Sequence, residues 1–182
     1  MRRILVVVDM LNDFVHSDGT LNFEEARKIV PNVAALVDEY RENGQEVVYA
    51  CDNHLENDLE FERFESHAVR GTWGGMIIEE LEMHLERHGY MLYKSRYSAF
   101  YDTKLDHILD MLKPDLVEVC GVCTSICVMD TVGGLANRDY KVRVVKDAVA
   151  DFDPEMHEMA LKRMALLYGA EVWDSKERKE FV

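Results

Sequence analysis

Short apolar runs alternate along the chain with longer stretches of helical period, and that alternation constrains the fold most. Ile4-Leu-Val-Val-Val8 is a continuous, largely β-branched run, the pattern of a strand buried on both faces. Residues 46–51, 90–93, 115–120, 141–145 and 171–173 read as further short strands. Val33, Leu36, Val37 and Tyr40 fall at helical spacing over residues 29–40, and Asn43-Gly44 stops that helix. Ile77, Ile78, Leu81 and Leu85 predict an amphipathic helix ending at Gly89, and Leu105, Ile108, Leu109 and Leu112 another, closed by Pro114. A helix is expected to begin near Ser125, and Pro154 opens one that runs to Gly169. Strands alternating with helices argue an α/β fold whose parallel sheet is covered on both faces. The 182 residues are expected to form one domain, 1–182, with a full core and no need of disulfides or structural metal.

Charge narrows the function. Lys plus Arg number 21 against 35 Asp plus Glu, a net charge of −14. Such a chain lacks the footprint of a nucleic-acid binder and is a poor partner for anionic membranes. No apolar run approaches a membrane span. Met-Arg-Arg leads into a short apolar run and then Asp9 without a small-residue cleavage site, so no secretory leader is expected. Cys120, Cys123 and Cys127 crowd together, a poor disulfide framework, which points to a reducing cytoplasm.

Strand ends gather the chemistry. The first strand runs into Asp9, the second into Asp52 and His54, the third into Lys94, the fourth through Gly121 to Cys123 and Cys127. Ligands of open parallel sheets bind outside the carboxyl ends of the strands. Cys127 belongs to the first turn of a helix, where the helix end and a nearby Lys94 are expected to lower its pKa. Asp9 can then take the thiol proton as general base, and backbone N–H groups of Cys123 and Cys127 can form an oxyanion hole. Cys120 and Cys51, inside strands, read as buried apolar residues. Cys120, Cys123 and Cys127 as joint metal ligands would need a fourth ligand.

Residues 52–75 form a long segment without clear period, the kind that is usually functional. Asp52, His54 and His67 there are a ligand set for zinc, manganese or iron, although two exposed loop histidines would give the same spacing. Phe14, Phe64, Trp73, Tyr97 and Phe100 lie near the same edge, where a planar substrate can stack or where some cap the core. The acidic residues within 56–65 read as a solvated face, and Asp147 as a turn residue or helix cap.

Asp9-Met-Leu-Asn-Asp-Phe14, Lys94 and Gly121-Val-Cys-Thr-Ser-Ile-Cys-Val128 resemble the catalytic segments of the isochorismatase-like cysteine hydrolases, in order and over nearly the whole chain. The resemblance implies a six-stranded parallel sheet of order 3-2-1-4-5-6 between helix layers. It implies Asp9 as base, Lys94 as electrostatic partner, Cys127 as nucleophile and a cis peptide between Val122 and Cys123. Within the family the likeness is nearest to nicotinamidases. Asp52-x-His54, His67 and Gly71-Thr72 resemble their metal site, Lys94-Ser-Arg-Tyr-Ser-Ala-Phe100 their lysine segment, and Phe64 their ring-facing aromatic, with Phe14 and Tyr97 as further substrate contacts. A divalent metal, zinc first, would then hold a pyridine nitrogen while the thiolate attacks the carboxamide.

Glu65-Ser66 and Trp73 replace prolines common in that subfamily, which bears on the substrate and not on the thiol chemistry. Gly133-Gly134 lies in the helix behind Cys127, implying close packing, including at a subunit contact of the homo-oligomer that the family commonly forms. The leading expectation is a cysteine amidohydrolase converting nicotinamide to nicotinate and ammonia. An N-carbamoylsarcosine amidase-like enzyme needs the triad without the metal. An isochorismatase has no need of the thiol, and a silent binding subunit no need of Asp9, Lys94 or Cys127.

Overall fold

The structure is a computed structural model and describes residues 1–82 and 89–177. Six strands form one sheet in the order β3-β2-β1-β4-β5-β6. They are β1 (Arg3–Val8), β2 (Glu46–Asp52), β3 (Tyr90–Lys94), β4 (Leu116–Val122), β5 (Val142–Ala150) and β6 (Glu171–Trp173). Every neighbouring pair is parallel.

Both faces are covered, as the unbroken Ile4–Val8 run requires. Leu5 and Val7 face a core shared with α1 (Asn12–Val15), α2 (Glu24–Glu42) and α3 (Glu79–Glu82). Ile4, Val6 and Val8 face the opposite core, under α4 (Leu105–Leu112), α5 (Met129–Ala136) and α6 (Pro154–Tyr168). Leu85, expected on the third helix, lies outside the described residues. No described helix is long and apolar enough to cross a membrane.

Several boundaries differ from the expectation. Helix α2 begins at Glu24, before residue 29, because its first turn is charged and only Ala26 there reaches the core. Strand β5 continues past Val145 to Ala150: exposed Lys146 and half-buried Asp147 interrupt the apolar run, but Ala148, Val149 and Ala150 are buried again. Asp147 is therefore inside the strand, where it accepts the Ser175 N–H at 2.8 Å and anchors a short C-terminal turn. Helix α4 ends at Leu112, and its cap Lys113, in a left-handed conformation, stands before Pro114. Gly133 and Gly134 do mark close packing, and it is within the chain. A Cβ at Gly133 would lie 3.1 Å from the Tyr168 ring, and one at Gly134 2.5 Å from Phe100.

The register brings the strand ends together. Val8 pairs with Ala50 on one side and Gly121 on the other, and Asp52 pairs with Lys94. Gly121 has φ +110°, and a Cβ there would stand 2.0 Å from the Val8 carbonyl oxygen. Only glycine permits this approach of β4 to the end of β1.

Candidate active site

Asp9 follows β1 in a left-handed conformation, φ 51°, and its N–H donates to the Ala50 carbonyl at 2.9 Å. One carboxylate oxygen, Oδ1, accepts the Asp52 N–H at 2.8 Å. The other, Oδ2, accepts from Lys94 Nζ at 2.8 Å. Lys94 also donates to Asp52 Oδ1 at 2.5 Å and reaches Cys127 Sγ at 3.5 Å. Asp9, Asp52, Lys94 and Cys127 are all buried. Ligand atoms of Asp9, Asp52 and Cys127 lie within 4.8 Å of one another. The four strand ends thus converge on one ammonium.

Electrostatics assign the resting protons. Burial works against the Lys94 charge, yet Asp52 and Asp9 hold its pKa well above the ordinary lysine value. Burial and the Asp52 carboxylate push Asp9 up to about 6, against the pull of Lys94. Burial pushes the Cys127 thiol well above its ordinary value, with Lys94 opposing. This corrects the expectation of a lowered thiol pKa: the charge of Lys94 is largely taken by two carboxylates, and the resting sulfur keeps its proton.

Cys127 lies on a π-turn, Thr124–Val128, and not in the first turn of an α-helix. The Val122–Cys123 peptide is cis, as the resemblance implied. Three N–H groups of the turn are committed: Ser125 to Asp151, Ile126 and Val128 to the Cys123 carbonyl. Those of Cys123 and Cys127 are not among them.

The long segment after β2 folds back on itself and brings the two histidines together. His54 N–H donates to the Ala68 carbonyl at 3.0 Å, and Arg70 N–H to the His54 carbonyl at 2.9 Å. Asp13 Oδ2 accepts the Ala68 N–H at 2.7 Å, pinning the same point from α1. Asp52, His54 and His67 are buried and offer ligand atoms within 4.8 Å of one another. The Glu65 carbonyl accepts from His67 Nδ1 at 2.7 Å, which leaves Nε2 as the lone pair. This contact is made by the backbone and is indifferent to the Glu65 side chain. His54 Nδ1 pairs with Asp58 Oδ2 at 3.0 Å, and Arg96 Nη1 holds Asp58 at 3.0 Å.

Two observations fit a divalent cation here. His54 Nε2 is buried without a hydrogen-bond partner, 3.6 Å from Asp52 Oδ2. Although burial opposes it, Asp52 and Asp58 raise His54 to about 9, so the carboxylates favour positive charge at this point. Two imidazoles and one carboxylate form a three-ligand set of the catalytic kind, with outer carboxylate and carbonyl partners already in place.

Most of these residues border a cavity of about 350 Å³, although Lys94 and His54 are buried behind its lining and do not face it. Asp9, Cys123 and Cys127 line it, as do Asp52, His67, Phe14, Phe64 and Tyr97. Phe14 and Phe64 stand edge-on to the His67 ring at 5.4 and 6.3 Å between centroids. Trp73 does not line the cavity; it is exposed and meets His16 edge-on at 5.0 Å. Phe100 does not line it either, because it packs on Gly134 with Arg138 over its ring at 3.9 Å. Cys51 and Cys120 are core residues of strands, and the Cys120, Cys123, Cys127 set forms no metal cluster among the described residues.

Some site residues were not foreseen. Glu60 is buried and lines the cavity, and the Asp58 side chain is nearly buried, so the acidic stretch is not wholly a solvated face. Asp58 opens the short 3-10 turn Leu59–Glu62, accepting the Glu60 N–H, and this turns both carboxylates inward. Phe61 packs against both histidines at 5.5 Å. Phe23 and Phe152, which also line the cavity, form an edge-on pair.

The isochorismatase domain matches residues 3–177. The chain belongs to the isochorismatase family of hydrolases. Its fold superposes on the nicotinamidase/pyrazinamidase PncA of Bacillus subtilis with a TM-score of 0.90 and 33% identity, covering 96% of this chain and 100% of the other. N-carbamoylsarcosine amidase from Thermoplasma acidophilum gives 0.88 and 36%, covering 99% and 100%. The pyrazinamidase of Pyrococcus horikoshii, solved in complex with zinc, gives 0.88 and 29%, covering 96% and 99%.

Proposed function

We propose that this family member is an amidase of one domain that hydrolyses a small planar carboxamide, nicotinamide foremost, through a thioester on Cys127. The observation that carries the reading is a single cavity whose lining includes Asp9 and Cys127 together with Asp52 and His67. Lys94 lies beneath both, in contact with Asp9, Asp52 and Cys127.

The steps follow from the resting protons. Asp9 accepts the thiol proton as Cys127 sulfur attacks the carboxamide carbon, and Lys94 compensates the charge that develops on sulfur. The N–H groups of Cys123 and Cys127 receive the oxyanion, while those of Ser125, Ile126 and Val128 are bonded elsewhere. Asp9 returns its proton to the amide nitrogen, the C–N bond breaks, and ammonia leaves a thioester. Asp9 then takes a proton from water as the water oxygen attacks the thioester carbon; the C–S bond breaks, the carboxylic acid leaves, and Asp9 returns the proton to the sulfur. Asp52, His54 and His67 would hold a divalent ion, which would supply a Lewis acid for a ring nitrogen of the substrate. Phe14, Phe64 and Tyr97 line the same volume and offer aromatic surface to a flat ring. The described cysteines are all free, which fits a reducing compartment.

A second reading, a carbamoyl amino-acid amidase, is favoured by the likeness to N-carbamoylsarcosine amidase. The ligand set with its orphaned His54 Nε2 favours the first. Rapid quenching followed by peptide mass analysis separates them. A nicotinoyl adduct on the Cys127 peptide, absent in Cys127→Ala, is expected. An adduct from N-carbamoylsarcosine alone selects the second reading. No adduct from either, on folded protein, overturns the thioester.

A further inference from the structure

One buried carboxylate beside the site is not used by these steps. Asp151 follows β5, is 3% exposed, and does not line the cavity, although its neighbour Phe152 does. Its Oδ2 accepts the Ser125 N–H at 2.7 Å, and its Oδ1 accepts the Asp153 N–H at 3.2 Å. Ser125 belongs to the π-turn that carries Cys127. A second contact grips the same turn: His157 Nδ1 and Thr124 Oγ1 are 2.9 Å apart, and Thr124 is fully buried. Both grips come from the junction of β5 and α6.

A short bond from a buried N–H to a carboxylate is among the strong hydrogen bonds. It also decides which N–H groups of the turn are consumed. With Ser125 N–H held by Asp151, the turn cannot rotate that group toward the cavity, and the Cys127 sulfur stays directed at Lys94 and Asp9.

We propose that Asp151 is a positioning residue for the nucleophile turn, fixing the Cys127 sulfur and the oxyanion N–H groups in one orientation. The proposal rests on Cys127 being the nucleophile. Removing the acceptor lets the turn relax, and misplacement of a reacting group by about 1 Å costs on the order of 100-fold in rate.

The test uses the purified full chain and two readouts. The first is the rate at which iodoacetamide alkylates Cys127, followed by peptide mass. The second is kcat and KM for nicotinamide. Asp151→Ala is expected to slow alkylation about 10-fold and to lower kcat by about 10- to 100-fold with KM little changed. Asp151→Asn, whose amide oxygen can accept the same N–H, should restore most of both. Asp151→Glu keeps the charge but displaces the acceptor, and should resemble Asp151→Ala. If Asp151→Ala does not fold, the Asn and Glu variants decide. Wild-type alkylation and kcat in folded Asp151→Ala, or Asp151→Glu matching wild type, overturn the proposal. Turnover that survives Cys127→Ala overturns the nucleophile reading instead, and the alkylation rates then decide the role of Asp151.

Discussion

Asp52 and Lys94 are register partners across β2 and β3, and the Lys94 ammonium lies 2.5 Å from Asp52 Oδ1. The other oxygen of the same carboxylate, Oδ2, faces His54 Nε2 at 3.6 Å. One side chain therefore belongs to both halves of the site. It neutralises the lysine that serves Cys127 and offers a ligand atom to the histidine pair. A change at either half is felt at the other.

Lys94→Met should abolish turnover and also weaken the fold. It leaves Asp9 and Asp52 buried beside each other without their shared cation, and breaking a buried ion pair costs about 3–5 kcal/mol. Thermal unfolding with an ammonia assay checks both parts. A folded variant with wild-type rate would remove Lys94 from the proposed chemistry.

The acid limb of kcat/KM should fall near pH 6. Burial and Asp52 raise Asp9 to about 6, and only its carboxylate form can accept the thiol proton. Activity is thus present above that pH and lost as pH falls through it. A limb near 4, the ordinary carboxylate range, would show that the base is not held above its usual value in the working enzyme.

His54→Ala should lower zinc affinity by at least about 100-fold while the far-ultraviolet spectrum stays unchanged. The removed ring carries the orphaned nitrogen. Competition against a coloured chelator measures it, and unchanged affinity would refute the ligand set.

Gly121→Ala should destabilise the protein by at least about 2 kcal/mol, combining backbone strain and overpacking. The new Cβ would meet the Val8 carbonyl oxygen at 2.0 Å, one residue from Asp9. Denaturant unfolding reads the loss, and a stability equal to wild type would contradict the close approach of β1 and β4.

Much of this was legible in the residues. Apolar runs ending in Asp9, Asp52, Lys94 and Cys123 announced strands whose carboxyl ends carry chemistry, and the parallel register brings those ends together. What stayed hidden depends on side chains turning against their type. Asp58 and Glu60 sit in an acidic stretch, and the 3-10 turn that Asp58 caps, with the histidines they face, directs them inward. Phe100 and Trp73 are aromatic like Phe64, yet Gly134 in α5 takes one and the surface takes the other. The pKa of Cys127 depends first on its burial and then on the carboxylates that share Lys94 with it, which no local motif encodes. Asp151 was hidden because its partner is a backbone N–H, 26 residues away in sequence.

The most direct measurement is ammonia release from nicotinamide by purified protein, with and without chelator, beside Cys127→Ala. The account predicts release by the zinc-loaded protein, loss on chelation with recovery on adding zinc, and none from Cys127→Ala. Release that survives in folded Cys127→Ala, or no release from folded, zinc-loaded protein, would contradict it.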